Sequence, residues 1–107
     1  MKKYVVIYQS DLNFGLFANK VFDTLEDAQR CIRIELCKLI LEEEKAFQRS
    51  NTSMFNKEDT INDTLFSILN GENVFFDNFS CDTYTASICT RGKNDVAFSI
   101  ESIMKED

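Results

Sequence analysis

The chain has 107 residues, with 18 acids against 12 Lys and Arg, no His, four Cys, ten Phe and no Pro or Trp, for a net charge of -6. That length suits a single domain, residues 1–107, able to bury a core without metals or disulfides, and a hydrophobic content of 44% excludes a disordered chain. The acidic balance has the wrong sign for direct nucleic-acid binding, which runs on phosphate neutralisation.

Lys2 to Gln9 opens with two lysines, and Tyr4 to Gln9 then reads as a central strand by its Val, Ile and Tyr content. Its apolar run is too short for a signal peptide or a membrane span, so a cytoplasmic protein without membrane contact is expected. Ser10 to Gly15 reads as a loop and Leu16 to Phe22 as a second strand, giving a hairpin that leads into a long helix.

Phe22 to Phe47 is the longest stretch with a helical period. Leu25, Ala28, Ile32, Leu36, Leu39, Ile40, Ala46 and Phe47 fall in one stripe, the pattern of a core-facing helix. Thr24, followed three residues on by Asp27, forms a capping-box-like start, and Glu26 and Asp27 suit the positive end of the helix dipole. Glu43 falls inside the stripe, where a lone buried carboxylate would be costly, so the helix is expected to project past the core by residue 42. The Glu42-Glu43-Glu44 run reads as a solvated face. On the opposite side Ile34, Cys37 and Leu41 recur at i, i+3, i+7; they are either scattered surface residues or a strip that packs on a second copy or another element.

Arg49 to Lys57 reads as a polar connector. A second helix is expected from Asp59 to Asn70, with Ile61, Leu65, Ile68 and Leu69 on one face and Asn70-Gly71 as its C-cap. The last third reads as β: Val74 to Phe79, Tyr84 to Thr90 and Val96 to Ile103, where Val96, Phe98 and Ile100 alternate with Ala97, Ser99 and Glu101. The expected fold is α+β, an antiparallel or mixed sheet of 4–5 strands with two helices on one face, in the order β-β-α-α-β-β(-β).

Chemistry-bearing patterns are sparse. Cys31, Cys37, Cys81 and Cys89 include no CxxC pair, and reduced thiols fit a cytoplasmic chain. Asp77 to Asp82 resembles a calcium loop only in part, lacking the glycine and the distal glutamate. The three glycines form no phosphate-cradling loop. No catalytic, metal or cofactor residue is assigned, and enzyme activity is not expected.

The remaining signal is charge. Between Lys57 and Arg91 stand 33 residues with no Lys or Arg and six acids: Glu58, Asp59, Asp63, Glu72, Asp77 and Asp82. Solubility alone accounts for such a stretch; the functional reading is an acidic face for a basic, nucleic-acid-binding protein partner. The opening strand, the Phe22-Asp23-Thr24-Leu25-Glu26-Asp27-Ala28 helix entry, the AT-rich composition and the short acidic chain together resemble the small proteins of phages and mobile elements in low-GC bacteria. The resemblance implies a regulatory protein that inhibits a host nucleic-acid-binding protein. A different class of reading is a small-ligand module with an aromatic-lined pocket between sheet and helices.

Overall fold

The computed structural model describes residues 2–10, 14–49, 58–76, 78–89 and 95–104, with the backbone alone at 14–20, 47–48, 58–60 and 104. Eight elements follow in chain order: β1 (Lys2–Gln9), β2 (Phe14–Phe22), α1 (Leu25–Arg49), α2 (Glu58–Leu69), β3 (Val74–Phe75), β4 (Phe79–Cys81), β5 (Thr85–Cys89) and β6 (Asp95–Met104). The six strands form one open sheet in the order β2-β1-β6-β5-β4-β3, every neighbouring pair antiparallel.

The sheet is larger than the sequence reading of four to five strands, and the element order is β-β-α-α-β-β-β-β. The extra strand comes from Val74 to Phe79, which is two short strands and not one. The Phe76 N–H donates to the Phe79 carbonyl at 2.9 Å and turns the chain back, so that Val74 pairs with Cys81 and Phe75 with Ser80. The expected central position of β1 holds, since it is bonded to β2 on one side and β6 on the other.

One face of the sheet carries the core. Val6, Phe79, Cys81, Ala86, Ile88, Val96, Phe98 and Ile100 meet Ala28, Ile32, Leu36, Cys37 and Ile40 of α1 and Ile68 of α2. The period-two alternation puts Ser80, Ser87 and Ala97 in a row on the other face. Two layers fit the 18 Å short dimension of a molecule measuring 54 × 30 × 18 Å. Among the described residues no helix is long and apolar enough to cross a membrane.

The start of α1 is as its sequence signals: the Asp27 N–H donates to Thr24 Oγ1 at 3.1 Å and the Ala28 N–H to the Thr24 carbonyl at 3.3 Å. Its buried arc is wider than the apolar stripe, because Arg33, Cys37 and Glu44 are buried alongside Ile32, Leu36 and Ile40. The helix therefore does not leave the core at residue 42. Glu44 is only 3% exposed and Glu43 half-buried, so of the glutamate run Glu42 alone is a solvated residue. In α2 the buried face is Ile61, Thr64, Leu65 and Ile68, spaced i, i+3, i+4, i+7, and Leu69 lies outside it.

Candidate functional site

The end of α2 is built by a residue from another helix. Gly71 has φ +92°, the left-handed conformation that a helix C-cap requires. The Glu72 N–H donates to the Ser67 carbonyl at 3.0 Å and the Gly71 N–H to the Ile68 carbonyl at 3.2 Å, the paired bonds of a Schellman motif. A helix C-terminus carries partial negative charge that a nearby cation stabilises, yet the last turn of α2 contains none.

Arg33 of α1 supplies it. The residue is 5% exposed, and its guanidinium donates through Nη1 to the carbonyls of Ile68 at 3.0 Å and Glu72 at 2.6 Å, and through Nη2 to Asn73 Oδ1 at 3.3 Å and the Asp82 carbonyl at 3.4 Å. One buried side chain thus ties α1 to the cap of α2 and to the β4–β5 turn. Burying a charge is costly unless it is hydrogen-bonded, and the planar fork meets that condition with oxygen acceptors on both nitrogens.

The β4–β5 turn is fixed from its other side by Asp82. One carboxylate oxygen accepts from the N–H of Tyr84 at 3.0 Å and from the N–H and hydroxyl of Thr85 at 2.9 Å each, while Gln29 of α1 donates to the Thr83 carbonyl at 3.0 Å. Burial works to raise the Asp82 pKa; the hydrogen bonds from Tyr84 and Thr85 and the charge of Arg33 outweigh it and hold the carboxyl below its usual range. Asp82 is a turn-former, and its likeness to a calcium ligand in sequence has this physical origin.

Above this frame lies an apolar surface within acidic surroundings. On α2, Phe66 is 70% and Leu69 57% exposed, with Asp63 exposed on the turn before them and Glu72 exposed in the cap. Leu69, Asn70 and Gly71 wall an open cleft of about 270 Å³ whose other wall is Glu26, Gln29 and Arg30 of α1, with Arg33 among its lining residues. A second cleft of about 170 Å³ lies between Phe76, Phe79, Ile88 and Cys89. Both fall below the roughly 300–1,000 Å³ of small-ligand sites.

Of the six acids in the cation-free stretch, Asp63 and Glu72 are exposed and share the α2 end of the molecule, whereas Asp82 is spent on its turn. Glu58 and Asp59 open α2 with side chains outside the described residues, and Asp77 lies outside them altogether. Lys2 and Lys3 are on β1, separated from β3 by three strands, about 19 Å at normal strand spacing. That exceeds the screening length of about 8–10 Å, and the Lys3 ammonium is already paired with Asp23.

The Ile34, Cys37 and Leu41 strip is not one surface. Ile34 and Leu41 are exposed, but Cys37 is 6% exposed and belongs to the core cluster, because the arc of α1 buried by Arg33 and Glu44 passes through it. All four cysteines are free thiols. Burial pushes Cys37 up to about 11, with Cys81 adding to the rise and Arg33 opposing it, and burial likewise raises Cys81. The exposed Cys89 is raised by its hydrogen bond to Asp95. Among the described residues no group of His, Cys, Asp or Glu is placed to hold a metal.

Sequence reasoning missed Arg33 and Phe66. The trace of Arg33 was indirect: a helix ending at Asn70-Gly71 inside a stretch with no Lys or Arg needs its cation from elsewhere. Phe66 was visible as the large apolar residue of α2 that shares no face with Ile61, Leu65 and Ile68.

Fold and site together describe an α+β protein of two layers with two open clefts and an exposed apolar pair on α2. Comparison of the chain with known family models, curated proteins and solved structures finds no match.

Proposed function

We propose that the chain is a small acidic regulatory protein, without chemistry of its own, that acts by binding another protein with a basic face. The carrying observation is the pairing of opposite fates for charge around α2: Asp63 on the helix and Glu72 in its cap are exposed, while the cation at that cap, Arg33, is buried and committed to backbone carbonyls. A field of one sign at a surface speeds and selects encounter with the opposite sign. The resemblance to proteins of phages and mobile elements supports a cytoplasmic host protein that binds nucleic acid as the class of partner, its groove being basic by necessity.

The test is affinity capture from a native host lysate at low salt. The reading expects a discrete protein that salt elutes, that is lost from Asp63→Lys/Glu72→Lys and retained by Glu42→Lys/Glu101→Lys, four exposed positions. Retention by the first variant contradicts it.

A further inference from the structure

We infer that the outer side of α2 is the contact surface of this binding function, and that it takes a basic amphipathic segment of the partner protein. Apolar residues of that segment meet Phe66 and Leu69, and its Lys or Arg meet the surrounding acids. The inference rests on the protein-binding reading above and gives it a place and a partner chemistry.

Residues three apart on a helix are neighbours on its surface, so Phe66 and Leu69 form one exposed apolar area, Phe66 on the outer side of α2 and Leu69 at its edge beside the cleft to α1. A surface helix ordinarily turns polar residues outward. Here two large apolar residues, Phe66 and Leu69, are exposed instead, and a Phe that becomes covered buries about 150–250 Å². Apolar anchors at i and i+3 on a helix are the form in which helix faces are recognised.

Charge selects the occupant. Asp63 lies three residues before Phe66, Glu72 follows in the cap, and Glu26 shares with Leu69 the cleft at the start of α1. Of the cations that line this cleft among the described residues, Arg30 pairs with Asp27 at 3.4 Å, and Arg33 is buried. A second copy of the chain would bring the same acids against themselves on a background of net charge -6, which opposes self-association here. An uncharged apolar segment gains nothing from the acids. A basic amphipathic segment gains from both features, the acids acting on approach and the apolar pair on residence.

The probe is a synthetic fluorescein-labelled Lys/Leu amphipathic helix, titrated into the full chain at low salt beside a Lys/Ser peptide of equal charge and a Glu/Leu peptide. The expected order is Lys/Leu tightest, Lys/Ser at least about tenfold weaker and Glu/Leu without binding. Phe66→Ser/Leu69→Ser should weaken the Lys/Leu peptide by about tenfold, whereas Ile34→Ser/Leu41→Ser, an exposed apolar pair on α1, should leave it within about twofold. Circular dichroism is the control that both variants remain folded. Equal binding of Lys/Leu and Lys/Ser, or no loss in Phe66→Ser/Leu69→Ser, overturns the inference while leaving the acidic-face reading in place. Failure of both basic peptides to bind overturns the two together. Self-association in light scattering that Phe66→Ser/Leu69→Ser abolishes overturns the partner assignment in favour of a second copy.

Discussion

Arg33 Nη1 donates to the Glu72 carbonyl across 39 residues of sequence, at 2.6 Å, one residue beyond the left-handed Gly71 that ends α2. That bond and its companion to Ile68 make the direction of α2, and so the display of Phe66 and Leu69, depend on a side chain of α1. Replacing Arg33 with Met keeps the packing volume of the stem but leaves the carbonyls of the cap without their donor. A loss of about 2–3 kcal/mol in chemical denaturation is expected, since hydrogen bonds to a charged group are worth more than neutral ones. Arg33→Lys should recover less than half of it, because one ammonium does not reproduce the fork. Amide exchange at Gly71 and Glu72 should quicken in both variants.

Gly71 gives a cleaner backbone test. A Cβ added there meets nothing within 4 Å, so the cost of Gly71→Ala is conformational and not steric. At φ +92° that cost is about 1–2 kcal/mol. Gly71→Asn should lose less, as Asn tolerates the left-handed region. Equal stability of Gly71→Ala and the parent chain would show that the cap does not hold this conformation.

These two residues also mark how far the sequence could be read. Asn70-Gly71 is a local signal, and local signals transmitted well: the Thr24 cap, the alternation of Val96, Phe98 and Ile100, and the Ala28-Ile32-Leu36-Ile40 stripe all appear where their spacing puts them. Arg33, Cys37 and Glu44 were not legible because their burial depends on what packs beside α1, and no period within the helix encodes that. The split of Val74 to Phe79 into β3 and β4 escaped for a related reason. A run of Phe and Val satisfies one strand or two, and the choice rests on the pairing of Val74 with Cys81. At the site, the acids were legible as charge, but not that Asp82 is held in a turn while Asp63 and Glu72 face solvent.

Asp82 has a pH signature. Its pKa is depressed in the folded chain, so its contribution to stability is complete above the unfolded carboxylate value of about 4 and is lost as pH falls through the folded value. Asp82→Asn removes that contribution. The stability gap between the parent chain and the variant should be constant near neutrality and close between pH ~5 and ~2, read from urea denaturation at each pH. A gap unchanged at low pH would contradict the linkage.

The thiols should separate by burial. With Cys37 raised to about 11 and Cys81 raised as well, both inside the core cluster, neither presents a thiolate to an alkylating reagent at pH 8. Mass spectrometry should find label first on Cys89 and Cys31, and on Cys37 and Cys81 only at the rate of unfolding. Prompt labelling of Cys81 would show that α1 and β4 part more readily than their packing implies.

The central claim is that the acids at the α2 end recruit a basic protein partner. It is tested most directly by stopped-flow association of the captured partner, followed as a function of salt. For Asp63→Lys/Glu72→Lys the account predicts an association rate reduced by about tenfold at low salt, with a flattened salt dependence, because exposed charges act on encounter and are screened beyond about 8–10 Å at physiological salt. Glu42→Lys/Glu101→Lys should associate within about twofold of the parent chain. Equal slowing by the two folded variants would contradict the account, since net charge alone would then govern binding and the α2 end would have no special part in it.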